Sequence, residues 1–198
     1  MKNILSAILL MWFVALYSSA LAQEPDPVSK QSRPLIKEKD ILVQYDPSKN
    51  ETAVYIYPYL TIYQSERNFF AAETLSVTTG FTYSGQSSVA TPKLVEFGLI
   101  SHAKLWRFSK ERERKLTVIV DGEHLELGLL NRIKSKTVPI INMQNLSYIE
   151  NLALFIPLES FSKIANGENV FIEAGGYKVK LRKEHLKVFR KLLSRMKP

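Results

Sequence analysis

The chain has 198 residues, no cysteine and a formal net charge of +8 at neutral pH. That length suits one domain with a substantial core. The absence of thiols excludes disulfide staples, paired-cysteine metal motifs and a lipid-anchored cysteine after an apolar leader.

Residues 1–22, MKNILSAILLMWFVALYSSALA, run from an early cation (Lys2) through an uncharged apolar stretch to Ala20 and Ala22. This order of basic, apolar and small-x-small segments is expected to act as a secretory signal peptide, cleaved after Ala22. The competing reading keeps it as an anchor, because the run approaches the roughly 20 residues of a membrane span. Once cleaved, it leaves no transmembrane segment. A chain that is exported yet free of cysteine must be stable by packing alone, which points to a periplasmic, secreted or bacterial envelope protein. Residues 23–39, with three prolines and no periodicity, are expected to be a flexible lead-in to a single domain over 40–198.

From Asp40 the spacing of apolar residues is mostly two, as in strands. ILVQYDPSKNETAVYIYPYLTIY predicts a strand, a turn from Asp46-Pro47 to Asn50, and a long second strand. TLSVTTGFTYSG, KLVEFGLIS, AKLWRF and KLTVIV continue the pattern. No alternation of strands with long helices appears, which argues against a parallel α/β sheet.

VIVDGEHLELG, residues 118–128, brings Asp121, Glu123, His124 and Glu126 close together. Asp121-Gly122 suits a two-residue hairpin turn. Pairing outward from it sets Val120 opposite Glu123, Val118 opposite Leu125 and Leu116 opposite Leu127. On the other face His124 and Glu126 stand together, enough for two metal ligands but not for three. A plain turn is the favoured reading, and no metal ligand or cofactor is assigned.

In the last third, Pro157 and Asn166-Gly167 bracket one short helix. NVFIEAGGYKVKLR predicts a hairpin closed by Gly175-Gly176, pairing Ala174 with Tyr177, Ile172 with Val179 and Val170 with Leu181. KEHLKVFRKLLSRMKP is an amphipathic terminal helix with Leu186, Val188, Phe189, Leu192, Leu193 and Met196 on one side.

Two surfaces are candidates for binding. Residues 178–197 carry nine Lys or Arg against the single acid Glu184, so the remainder of the processed chain is near neutral. Lys178, Lys180, Arg182, Lys183, Lys187, Arg190, Lys191 and Arg195 are therefore expected to form a basic patch. Its partners would be an anionic glycan, phospholipid headgroups or an acidic protein, while an exported protein rarely meets nucleic acid. Tyr55, Tyr57, Tyr59 and Tyr63 alternate with aliphatics and are a candidate aromatic platform, against a bland reading in which they pack inside. Pro58 among them argues for an edge or bulge. Trp106, beside the charged run KERERK, is expected in the core.

No nucleophile, phosphate-loop or metalloenzyme motif occurs, so no catalytic residue is assigned. The expectation is an exported, mainly β protein, an antiparallel sandwich or curved sheet, with an α+β C-terminal appendage of short helix, β-hairpin and terminal helix. Its function would be non-enzymatic binding or scaffolding through the basic surface. The alternative is an exported hydrolase or metal-dependent enzyme centred on the Asp121–Glu126 hairpin.

Overall fold

A computed structural model describes residues 33–38, 40–65, 73–86, 91–139 and 146–196. The expected signal peptide and the first part of the lead-in, residues 23–32, lie outside them. The protein is mostly strand, in two antiparallel sheets with a C-terminal helix pair.

The larger sheet contains β1 (Arg33–Glu38), β2 (Asp40–Asp46), β3 (Glu51–Tyr57), β4 (Leu60–Gln64), β5 (Thr74–Ser84) and β6 (Leu94–Ala103). Two later strands complete it, β9 (Asn131–Pro139) and β10 (Leu146–Pro157). The order is β1-β2-β3-β5-β6-β10-β9, with β4 also on β5. The smaller sheet is β12-β11-β7-β8, from β7 (Lys115–Val120), β8 (Glu123–Leu129), β11 (Val170–Ala174) and β12 (Tyr177–Lys180). The helices are α1 (Leu158–Asn166) and α2 (Lys183–Ser194), and a 3-10 turn spans Glu111–Arg114.

Three strand assignments differ from those expected. Residues 33–38, expected in the lead-in, pair with β2, so the sheet begins before Asp40. The single long strand expected through AVYIYPYLTIY is broken: β3 pairs with the second half of β5 and β4 with the first. The break falls at Pro58, which has no N–H for a ladder bond and follows Tyr57 through a cis peptide. AKLWRF is not a strand, because β6 ends at Ala103.

Both hairpin turns form where they were expected. Asp121 and Gly122 have φ of 51° and 93°, Gly175 and Gly176 of 59° and 80°, the left-handed values that a two-residue turn requires. The second hairpin pairs Ala174 with Tyr177 and Ile172 with Val179. The amide of Leu181 donates to the Val170 carbonyl at 2.8 Å. The first hairpin departs from expectation after Thr117–Glu126: Leu116 meets Gly128 rather than Leu127. Gly128, at φ 112°, takes up the extra residue as a bulge.

One face of each sheet forms the core. Val95, Phe97 and Leu99 of β6 and Leu152, Leu154 and Ile156 of β10 face Leu116, Val118, Val170 and Ile172 of the smaller sheet. Tyr63 and Tyr177 meet at 5.3 Å between ring centroids, where β4 approaches β12. The helix pair closes the rest of this layer. Phe189 of α2 packs edge-on against Phe97 at 6.2 Å and against Phe161 of α1 at 5.7 Å. Burying a ring such as Phe189 contributes about 2–3 kcal/mol. The expected apolar stripe of α2 is buried at Leu186, Phe189, Leu192, Leu193 and Met196.

Gly167 ends α1, and its amide donates to the Lys163 carbonyl at 3.0 Å. Its φ is −61°, so left-handed geometry does not explain the glycine. Space does: a Cβ there would lie 2.7 Å from both Val120 Cγ1 and Val170 Cγ2.

Candidate functional site

The basic surface is built by β12 and α2. Alternation along β12 buries Val179 and turns Lys178 and Lys180 outward. The apolar stripe of α2 is docked, so its polar side faces solvent. Along that side Lys183, Lys187, Lys191 and Arg195 recur every fourth residue, a line that drifts by about 40° per step around the helix.

The eight cations expected in the patch are not equivalent. Lys178 Nζ lies 2.6 Å from Glu173 and Lys180 Nζ donates to Asn169 Oδ1 at 2.8 Å. Both ammonium groups also stand about the Phe171 ring, at 6.0 and 5.6 Å from its centroid. Arg182 pairs with Glu184 at 3.0 Å. Arg190 is exposed but its guanidinium is engaged by the fold. Its Nε donates to the Ala165 carbonyl at 3.0 Å and its Nη2 to that of Gly167 at 3.4 Å, closing the C-terminal end of α1. Lys183 and Lys187 are exposed and carry no ion pair among the described residues.

His185, in the first turn of α2, is buried against Arg182. The Arg182 backbone N–H donates to His185 Nδ1 at 3.2 Å, which fastens the start of the helix. Burial lowers the pKa of this ring, the neighbouring guanidinium lowers it further, and Glu184 opposes both. Arg182 and Lys183 sit at the positive end of the helix dipole, where cations are locally unfavourable. Helix chemistry therefore does not account for them, and their field adds to that of the helix terminus.

The four tyrosines do not share one exposed face. Tyr55 is 3% exposed and its hydroxyl donates to Gln44 Oε1 at 3.1 Å. Tyr57 and Tyr63 are half-buried, Tyr63 against Tyr177, and only Tyr59 is open at 43%. The break at Pro58 and the register shift between Thr61 and Tyr63 interrupt the alternation that would have aligned them.

At the Asp121–Glu126 hairpin each acid has a partner. The Asp121 carboxylate accepts backbone N–H groups of Glu168 and Asn169, at 3.1 and 2.7 Å, and ties the turn to the loop after α1. Glu123 pairs with Lys163 at 3.1 Å and Glu126 with Lys115 at 2.7 Å. The ammonium of Lys115 lowers the Glu126 pKa. His124 is exposed. Among the described residues no group of three or more His, Cys, Asp or Glu side chains is arranged to hold a metal ion.

Sequence reasoning missed a second region, the loop 104–110 after β6. Glu150 of β10 is 0% exposed, and its Oε2 accepts the backbone N–H groups of Arg107 (2.7 Å) and Phe108 (3.2 Å). Arg132 Nη2 lies 3.4 Å from the other carboxylate oxygen and donates to the Phe108 carbonyl at 3.0 Å. The Phe108 ring enters the core, close enough to Gly175 that a Cβ there would stand 2.6 Å from it. Arg107 turns to Glu73, whose hydrogen bond raises the guanidinium pKa. Trp106 is consequently not a core residue. It is 38% exposed, with Tyr148 at 4.6 Å and the Arg132 guanidinium at 5.7 Å from its ring. The available signal was a lone apolar pair, Leu105-Trp106, between cations in a stretch that resembled a strand.

The fold thus defines a two-sheet β protein with a helix pair, bearing a cationic face on β12 and α2. Comparison with protein-family models, curated proteins and solved structures finds no match.

Proposed function

We propose that the protein is an exported, non-enzymatic binding module of the bacterial envelope, holding an anionic partner on its β12–α2 face. The partner class is an anionic glycan, a phospholipid headgroup or an acidic protein. The observation that carries this reading is the concentration of charge. Nine cations and one acid lie between Lys178 and Lys197, and Lys183 and Lys187 stand exposed without ion pairs among the described residues. The leader-like order of residues 1–22 supports export.

The test is retention on an immobilised polyanion such as dextran sulfate as salt is raised. Retention should fall steeply with ionic strength. The double variant Lys183→Glu, Lys187→Glu should weaken it more than about tenfold, since each cation near an anionic surface is worth about 1 kcal/mol. Arg190 is unsuitable for this purpose because it closes α1. Retention that ignores both salt and charge reversal would refute the reading. N-terminal sequencing of the exported form tests cleavage after Ala22.

A further inference from the structure

We infer that the loop 104–110 is an interfacial anchor, inserting Leu105 and Trp106 into the headgroup boundary of an anionic lipid bilayer. Leu105 is 66% exposed and Trp106 38%, an adjacent pair of large apolar side chains held open to solvent. Their exposure is imposed by the structure. The buried Glu150 carboxylate fixes the next two backbone amides, Phe108 is sunk in the core, and Arg132 bonds the Phe108 carbonyl. The two apolar side chains therefore cannot fold inward without uncovering a buried carboxylate.

The surroundings favour a bilayer over a sugar or a peptide. A sugar would need an open indole face, and Tyr148 and Arg132 already lie against the ring. Leu105 offers no hydrogen bond and no π surface. What it presents suits a medium that is apolar on one side and wet on the other, where tryptophan is preferred. Lys104 and Lys110, both exposed, flank the pair and complement anionic headgroups. An anchor of two side chains is weak alone, and adding cations to an apolar insertion is how marginal membrane attachment becomes stable.

The chain has two tryptophans, so Trp12→Phe leaves Trp106 as the sole indole reporter. The full chain carrying that change is mixed with vesicles of phosphatidylcholine and phosphatidylglycerol, and with vesicles of phosphatidylcholine alone. Emission from Trp106 should shift to the blue with the anionic vesicles and be quenched by lipids brominated near the headgroup end of the acyl chain. Adding Leu105→Ser, at an exposed site, should reduce the quenching several-fold. Vesicle attachment with Trp106 unshifted and unquenched would overturn the proposal, because another part of the chain would then hold the membrane. Equal quenching with and without Leu105→Ser would also overturn it. Because the readout belongs to Trp106, it fails or succeeds independently of the β12–α2 face, which Lys183→Glu, Lys187→Glu addresses.

Discussion

Arg190 of α2 donates from Nε to the Ala165 carbonyl at 3.0 Å, so the last turn of one helix is satisfied by a side chain of the next. Helix ends carry carbonyls with no partner of their own. A guanidinium there supplies both donors and a favourable charge at the negative end of the dipole. Arg190→Met should therefore destabilise the fold by about 1–3 kcal/mol, while Lys187→Met, on the open side of α2, should change stability by less than about 0.5 kcal/mol. Urea denaturation of the two variants makes the comparison. Equal midpoints would mean that Arg190 is only another surface cation.

Glu150 is the residue whose loss should be felt most. Glu150→Ala strips two backbone N–H groups, that of Phe108 buried, and Arg132 of their acceptor, at a cost of about 3–5 kcal/mol. Glu150→Gln keeps an acceptor oxygen and should cost less. The loop should loosen before the core does, so increased solvent exposure of Trp106, read by acrylamide quenching in the Trp12→Phe background, should accompany Glu150→Ala. Unchanged quenching would separate the loop from the carboxylate.

Glu96 makes a pH-dependent contribution of unusual sign. It neighbours Val95 and Phe97 on β6, and alternation turns it to the face of the large sheet away from the core. It is 3% exposed, and Oε1 has no hydrogen-bond partner among the described residues. Burial lifts its pKa from 4.5 to about 7. Between those values the folded chain holds a proton that the unfolded chain has lost. Stability from this group is therefore intact below pH 4.5 and declines as pH rises through about 7. The full effect is on the order of 3 kcal/mol. Glu96→Gln, which cannot ionise, should gain on the wild type as pH is raised across this range. Parallel stability–pH curves for the two proteins would sink the assignment.

Two glycines separate space from backbone. Gly167→Ala meets Val120 and Val170 at 2.7 Å with an ordinary φ, and should cost about 1–3 kcal/mol through crowding. Gly176→Ala has open space but φ of 80°, and should cost about 1 kcal/mol whatever surrounds it. Thermal unfolding of the three proteins decides between these causes.

Much of the local structure could be read from the residues. Asp121-Gly122 and Gly175-Gly176 specify their turns because few residues accept positive φ, and the second hairpin's register follows because a one-residue slip would turn Ala174, Ile172 and Val170 to solvent. The apolar stripe of α2 was equally legible. The strand β10 was not, although at 12 residues it lies between β6 and β9. Its core-facing row contains the acid Glu150 and its other face contains Ile149, Ala153 and Phe155, so no alternation of apolar with polar marks it. A strand with apolar residues on both faces gives no period-two signal. The break at Pro58 could be foreseen as a bulge, but two strands sharing one side of β5 could not.

The sequence by itself determined the two hairpin turns, the register of the second hairpin, the docked side of α2 and the gathering of cations between Lys178 and Lys197, because each depends on residues near one another along the chain. Only the tertiary structure decided which cations are spent on the fold, as Arg190 is, and which stand open, as Lys183 and Lys187 do. It also decided that Trp106 is exposed, since the carboxylate that holds it there belongs to Glu150, 44 positions further along the sequence. Burial and pairing across such separations are properties of the packed chain, and local residue order carries no trace of them.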